Sequence, residues 1–481
     1  MTEATPRVVA SPPIETSAPP PPTFTGTISI RLRTPSRRRN LELILLLFAL
    51  GIGVVASVLV QLGALHRIDP VGLTLVGVVC VLLLAMHVVL RVVAPDADPF
   101  LLPIASVLNL IGIAEITRID IAHGDTGWAA YGNRQIAWTA LAILGAAALL
   151  LIIRNHRVLQ RYRYLAGFTA IVLLILPFLP IIGREVNGAR AWISLGVATF
   201  QPGEIAKIAL AVFFAGYLVT ARDSLSMVGK RVLWMTFPRL RDLGPILIVW
   251  ILSMAVIVFQ RDLGSGLLYF GLFLVMIYVA TGRLSWVLLG VVLFVGGAFV
   301  AAQSLTYVGN RFYGWLHTLD PALYDQGGGS YQLANGLFGL ADGGLPGTGL
   351  GRGNPDITPL AESDFIVASL GEELGLIGLF ALLVLYMVFV SRGFRIGFAG
   401  QDDFGRLLGV GLGFVVALQV FIVAGGVTRV IPLTGLTTPF LAAGGSSLVA
   451  NWMIVALLLR LSDSVRAQSR LVIDSEPRGV A

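Results

Sequence analysis

The sequence is short of charge and of cysteine. Charged residues make up 13% of its 481 positions against 56% hydrophobic ones, and mean hydropathy is +0.84, which excludes an ordinary water-soluble globular chain. The single cysteine, Cys80, lies in an apolar run, so an intramolecular disulfide and a cysteine-based redox or metal site are excluded. The five histidines, His66, His87, His123, His156 and His317, lack helical ligand spacing, which argues against zinc. No short apolar core stands near the start, so a cleavable signal peptide is not expected. Residues 1–36 are instead rich in Pro, Ser and Thr. Too little apolar surface is present there to offset the entropy of ordering, and a disordered tail is expected.

Long apolar segments are abundant. Spans able, or nearly able, to cross a bilayer fall at about 41–62, 70–92, 100–116, 136–153, 164–182, 204–220, 242–259, 264–281, 285–302, 366–391, 407–425 and 440–460, about twelve in all. This predicts an all-α polytopic membrane protein. Arg31, Arg33, Arg37, Arg38 and Arg39 precede the first span. Alternate connections hold Arg154, Arg157, Arg161 and Arg163, then Arg222, Lys230, Arg231, Arg239 and Arg241, then Arg392, Arg395 and Arg406, with Arg466 and Arg470 in the tail. The opposite connections hold one or two basic residues each, so both termini are expected in the cytoplasm. The net charge of +7 follows this bias and implies no nucleic-acid partner.

The expected organisation is a tail over 1–36, two N-terminal helices over 37–92, a core over 93–461 and a second tail over 462–481. The N-terminal pair keeps Glu42, Arg67, Asp69 and Arg91 near its ends, with His87 deeper, and reads as a scaffold or partner-docking element. The core contains one long polar interruption, 303–367, expected outside the bilayer on the outer face, and a connection of that length points to function. It carries Arg311, Asp320, Asp325, Asp342, Asp356, Glu362 and Asp364. Asp364 with Glu362 beside it suits a base and its helper, and an Asp at a helix start equally suits a cap. The run Gly347–Gly353 lacks the strand and helix of a dinucleotide site. Its glycines read as letting the loop lie flat against a lipid-linked ligand, or as flexible packing.

Ionisable side chains in membrane helices are costly and mark candidate sites. Glu204 and Lys207, three residues apart, share a helical face, either as a helix-start pair or as a polar floor under an outward cavity. Arg184, Arg190 and Trp192 occupy an outward loop, suited to gripping phosphate in fork geometry or to anchoring at the interface. Asp262, after Gln260 and Arg261 and before small residues, suggests a helix break with its charge turned to a cavity, or a local pair with Arg261.

Taken together, Asn187-Gly-Ala-Arg190 with Trp192, Phe200-Gln201-Pro202 with Glu204 and Lys207, and Gln260 with Asp262-Leu-Gly264 resemble the SEDS proteins of bacterial elongation, division and sporulation. Further matches are Asp320-Pro321, Gly343-Gly344, Gly349-Leu-Gly351, Ser363-Asp364-Phe365, Glu372-Glu373-Leu-Gly375, Pro439-Phe440 and Gly444-Gly-Ser-Ser447. The resemblance runs in order over roughly 100–461. The two extra N-terminal spans look like the elongation branch of actinobacterial type, with the division branch as the alternative. The chain departs from the family pattern at Ala191 (usually basic), Glu362 (usually His), Ala443 (usually Tyr) and Asn335 (usually Gln).

The resemblance implies a ten-helix core plus two added helices, in a bacterial plasma-membrane enzyme that polymerises lipid II into peptidoglycan strands. It implies Asp364 as the catalytic carboxylate and Glu204 and Lys207 as a pair lining a central cavity; Glu362, standing where the family usually has His, is expected to assist Asp364 on its own chemistry. Arg190, Arg311 and Lys207 would meet the diphosphate, with Asp262, Trp192, Gln201 and Asn335 in support. No organic cofactor is implied; a divalent cation, Mg or Mn, is left open. The partners implied are lipid II, undecaprenyl-diphosphate-linked glycan, membrane lipid and a class B penicillin-binding protein. Two readings from other classes stand beside it: a flippase for lipid-linked precursors, and a scaffold for cell-wall synthases.

Overall fold

The computed structural model describes residues 36–474 apart from 187, 195, 197, 227–230, 233–234, 237–250, 252–253, 256–257 and 325–329. The tail expected over 1–36 falls, except for Ser36, outside the described residues, as does most of the span expected at 242–259.

Among the described residues, ten helices are long and apolar enough to cross a membrane. They are α1 (Ser36–Leu65), α2 (Pro70–Val93), α3 (Leu101–His123), α4 (Tyr131–Ile152), α7 (Pro202–Ser226), α8 (Leu263–Thr281), α9 (Leu284–Ser304), α13 (Ile366–Ala399), α14 (Asp403–Val427) and α15 (Gly445–Asp474). The span expected at 164–182 is a shorter apolar helix, α6 (Arg163–Ile175), extended by a 3-10 turn and preceded by the short α5 (Arg157–Arg161). The protein is thus mostly helical and multi-pass.

It is not wholly α. Where the sequence suggests an outward loop, β1 (Gly183–Val186), β2 (Ala189–Ser194) and β3 (Thr199–Phe200) form an antiparallel sheet, with Arg184 opposite Trp192 and Ile193 opposite Phe200. Two-residue strands at Arg231–Val232 and Met235–Thr236 make a further hairpin. The long polar segment is itself largely helical, with α10 (Thr306–Leu316), α11 (Pro321–Tyr324) and α12 (Tyr331–Gly343).

Lipid is as apolar as a helix surface, so close backbone approach holds spans together better than bulk does. Gly393 and Gly397 of α13 meet Gly409 and Gly413 of α14; a Cβ on Gly409 would come within 2.9 Å of the Gly397 Cα. The apolar run of α3 is 89% buried, as expected of a helix that is hydrophobic on every side. It runs past the expected end at 116, so Glu115, Arg118 and Asp120 all lie within it. The N-terminal pair packs on this core, α1 against α3 and α2 against α4. Buried Glu42 ties the pair together, accepting from Arg39 at 2.6 Å and meeting His87 Nδ1 at 2.7 Å.

Helix α13 breaks at Gly375 (φ 66°, ψ −174°), and the glycine-rich loop fills the break. Thr348 N–H and Gly349 N–H donate to the carbonyls of Glu372 and Glu373 at 2.9 Å. Leu376 and Ile377 donate in return to Gly344 and Leu345 at 3.0 and 3.2 Å. Two carbonyls and two N–H groups freed at the break are thus paired with the loop, as broken helix in a membrane protein requires. The loop's glycines serve this docking, since a Cβ on Gly347 would collide with the Glu373 carbonyl.

Candidate active site

Where the sheet, α10, the start of α12, the turn before α13 and the segment 433–437 converge, a cavity of about 430 Å³ opens. Asp364, Ser363, Arg311, Asp262, Arg261, Trp192 and Gln201 are among its lining residues. Asp364 stands two residues before α13, half-buried. Its Oδ1 accepts from Ser363 Oγ at 2.9 Å. Burial pushes its carboxyl above the usual aspartate range and Glu362 adds to the rise, while Ser363 and Arg311 pull against it. The helix-cap reading receives no support: the residue before α13 is Phe365, and no side chain caps that end.

Arg311 projects from α10 and is half-buried. Its Nη1 donates to the carbonyls of Thr434 (3.0 Å) and Leu433 (3.3 Å). Arg429 and Trp315 reinforce this seat, with Trp315 Nε1 donating to the Arg429 carbonyl and Arg429 Nε to the Trp315 carbonyl, both at 3.0 Å. Asp262 caps α8, taking Ser265 N–H at 3.0 Å and Ser265 Oγ at 2.6 Å, and Gln201 Nε2 reaches it from the sheet side at 3.2 Å. Trp192 lines the cavity from β2.

Other expected residues stand elsewhere. Glu204 and Lys207 form a buried pair at 2.5 Å that does not line the cavity. Lys207 Nζ also donates to Gln419 Oε1 at 2.9 Å, and Gln419 Nε2 donates to the carbonyl of Thr437, a lining residue, at 2.8 Å. The pair thus lies one hydrogen-bond layer beneath the wall. Glu362 is buried outside the lining; its carbonyl accepts from Ala443 N–H at 2.7 Å. Asn335 is buried on α12, with Tyr324 Oη donating to its Oδ1 at 2.9 Å. Arg190 is exposed on β2, between the lining residues Ala189 and Ala191. The loop 344–353 contributes no lining residue.

Three features were not singled out from sequence. Gln419 joins the buried pair to the wall from the middle of an apolar span. The segment Leu433–Thr437 supplies wall and carbonyl acceptors; its threonines between Pro432 and Pro439 are the signal that could have marked it. Arg118 on α3 meets Glu373 at 3.1 Å, and Glu373 accepts the N–H of Gly351 (2.8 Å) and Gly353 (3.2 Å), which pins the glycine loop. Among the described residues, no three His, Cys, Asp or Glu side chains are grouped to hold a metal ion.

A carboxylate acceptor, a fixed guanidinium and an indole face on one cavity suit proton removal from a hydroxyl beside an anionic group. The family model described as cell cycle protein, covering FtsW, RodA and SpoVE, matches residues 98–467. "Peptidoglycan glycosyltransferase RodA" of Mycobacterium tuberculosis (strain ATCC 25618 / H37Rv) is 45% identical over 387 residues, 80% of this chain and 82% of its own. "Stage V sporulation protein E" of Bacillus subtilis is 31% identical over 335 residues, 69% of this chain and 87% of its own. Among solved structures, one described as structural coordination of polymerization and crosslinking by a peptidoglycan synthase complex aligns with TM-score 0.60 and 26% identity, over 77% of this chain and 98% of its own. The crystal structure of Thermus thermophilus RodA aligns with TM-score 0.54 and 24% identity, over 76% and 96%, a likeness of fold. With the family model spanning most of the chain, the protein belongs to the FtsW/RodA/SpoVE family of cell cycle proteins.

Proposed function

We propose that the protein is a peptidoglycan glycosyltransferase that polymerises lipid II, with Asp364 as general base. The observation that carries this reading is that Asp364 and Arg311 share one cavity wall with Trp192. The acceptor sugar's 4-hydroxyl gives its proton to the Asp364 carboxylate as its oxygen bonds to C1 of the donor sugar. The C1–oxygen bond to the diphosphate breaks on the opposite face, and α linkage becomes β. A carboxyl raised by burial is a stronger proton acceptor once ionised. Arg311, already oriented by two carbonyls, stabilises charge on the leaving diphosphate without reorganising. Trp192 offers a face for a sugar ring.

Glu204 and Lys207 act through Gln419 on the wall at Thr437, and Arg190 is an outer contact. Glu362 raises the base electrostatically. The reading needs no organic cofactor. Of the cavity's carboxylates, Asp262 has both oxygens engaged by Ser265 and Gln201 and Asp364 has Oδ1 engaged by Ser363; the reading does not require a divalent cation, and no step runs through one. The flippase alternative lacks a free buried charge among these groups, since Glu204, Lys207 and Asp262 all hold protein partners.

The 45% identity to proteins named RodA supports the elongation role. The basic connections support cytoplasmic termini and a cavity on the outer face. The neighbour described as a peptidoglycan synthase complex supports pairing with a class B penicillin-binding protein that cross-links the product. The test is polymerisation of labelled lipid II by purified protein, resolved on a gel. Asp364→Asn should lower the rate by about 10²–10⁴-fold, the usual worth of a general base. Monodisperse Asp364→Asn protein that makes glycan at the wild-type rate would remove the assignment.

A further inference from the structure

Arg261 offered one structural reading from sequence, a local pair with Asp262. The structure does not form it. The Asp262 carboxylate is occupied by Ser265 and Gln201, and among the described residues the Arg261 guanidinium enters no ion pair. Its backbone is left-handed, with φ of 61°, a conformation disfavoured for any residue with a Cβ. Such local strain persists where the surroundings impose it and clusters at ligand sites. Here it separates two neighbouring side chains: Asp262 turns back to cap α8, while Arg261 remains exposed and lines the cavity.

The Arg261 guanidinium lies over the Tyr307 ring, 5.9 Å from its centroid. Tyr307 is four residues before Arg311 on α10, on the same helical face. Both arginines act electrostatically on the Tyr307 phenol, pulling down a pKa that burial raises. Arg261 over the ring and Arg311 one turn along the same helix therefore both line one cavity. They differ in engagement: Arg311 is held by the Leu433 and Thr434 carbonyls, whereas the polar edge of Arg261 is unclaimed among the described residues. An aromatic platform with a guanidinium resting on it presents that edge to a planar or tetrahedral anion in fork geometry.

We propose that Arg261 is a second anion-binding residue of the cavity, gripping the diphosphate of a lipid-linked substrate together with Arg311. This deepens the glycosyltransferase reading and rests on it for the identity of the lipid.

The experiment measures binding of undecaprenyl diphosphate, and of undecaprenol as the phosphate-free control, to the full-length protein in detergent, alongside lipid II polymerisation. Wild type should bind the diphosphate at least about tenfold more tightly than the alcohol. Arg261→Gln should lose about tenfold in diphosphate affinity, roughly one charge-assisted contact, and leave undecaprenol binding unchanged. Arg261→Lys, which keeps the charge and loses the fork, should fall between and serves as the decisive variant where Arg261→Gln does not purify as a monodisperse species. Diphosphate affinity equal to wild type in the variant measured would overturn the proposal. An inactive wild type whose diphosphate binding still depends on Arg261 would count against the polymerase reading alone, and an active wild type with binding indifferent to Arg261 against this inference alone.

Discussion

Removing the Lys207 ammonium tests the layer beneath the cavity wall. Lys207 and Glu204 are 1% and 5% exposed, with Nζ and Oε2 2.5 Å apart, so Lys207→Met leaves a carboxylate buried without its counter-ion. Breaking one side of a buried pair costs about 3–5 kcal/mol. Gln419 Oε1 also loses its 2.9 Å donor, which adds about 1 kcal/mol. The double variant Lys207→Met/Glu204→Gln removes both charges and should recover about 2–3 kcal/mol relative to Lys207→Met alone, a coupling within the range for groups in contact. Unfolding in mixed micelles with increasing SDS, followed by circular dichroism, gives the order: wild type, then the double variant, then Lys207→Met. Polymerisation provides a second readout. The double variant should regain stability yet stay at least about tenfold slow, because the route from Lys207 through Gln419 to Thr437 is gone and small displacements at a site are costly. A double variant as unstable as the sum of the two single changes would refute the pairing. One that recovers rate together with stability would refute the link to the wall.

Two further outcomes are expected. Asp364 works as a base only when ionised, and burial followed by Glu362 raises its carboxyl, so the rate should fall as pH drops through a value above the usual aspartate range. Glu362→Gln should move that acid limb to lower pH in a rate profile, and an unmoved limb would remove Glu362 from the site's electrostatics. Gly375→Ala combines a positive φ with collision against Gly347 N and the Leu345 carbonyl; it should lose at least about 2 kcal/mol by the same unfolding measurement and slow polymerisation by unseating the loop that leads into Asp364.

Composition alone decided that the chain spans a membrane, because apolar runs of bilayer length with so little charge have no other stable environment. The lengths of those runs placed most of the spanning helices. Asp364 and Asp262 were legible as candidates because a charge at the edge of an apolar span is costly, Arg311 and Trp192 because they stand in polar segments between spans, and Gln201 through the family resemblance; the tertiary structure gathers these five on one cavity. What the sequence could not decide was direction and depth. Glu204 and Lys207 carry the same helical spacing whether they face a cavity or lie behind its wall, and only the packing of α14, with Gln419 against Lys207, set them behind it. The glycine run reads identically as a ligand clamp or as filler for a broken helix, and that was settled by the carbonyls of Glu372 and Glu373 exposed at the Gly375 break. Arg261 and Asp262 are adjacent in sequence and opposite in charge, so a local pair was the natural expectation. A left-handed backbone at Arg261 turned the two side chains apart, and dihedral angles imposed by surrounding packing cannot be read from residue order.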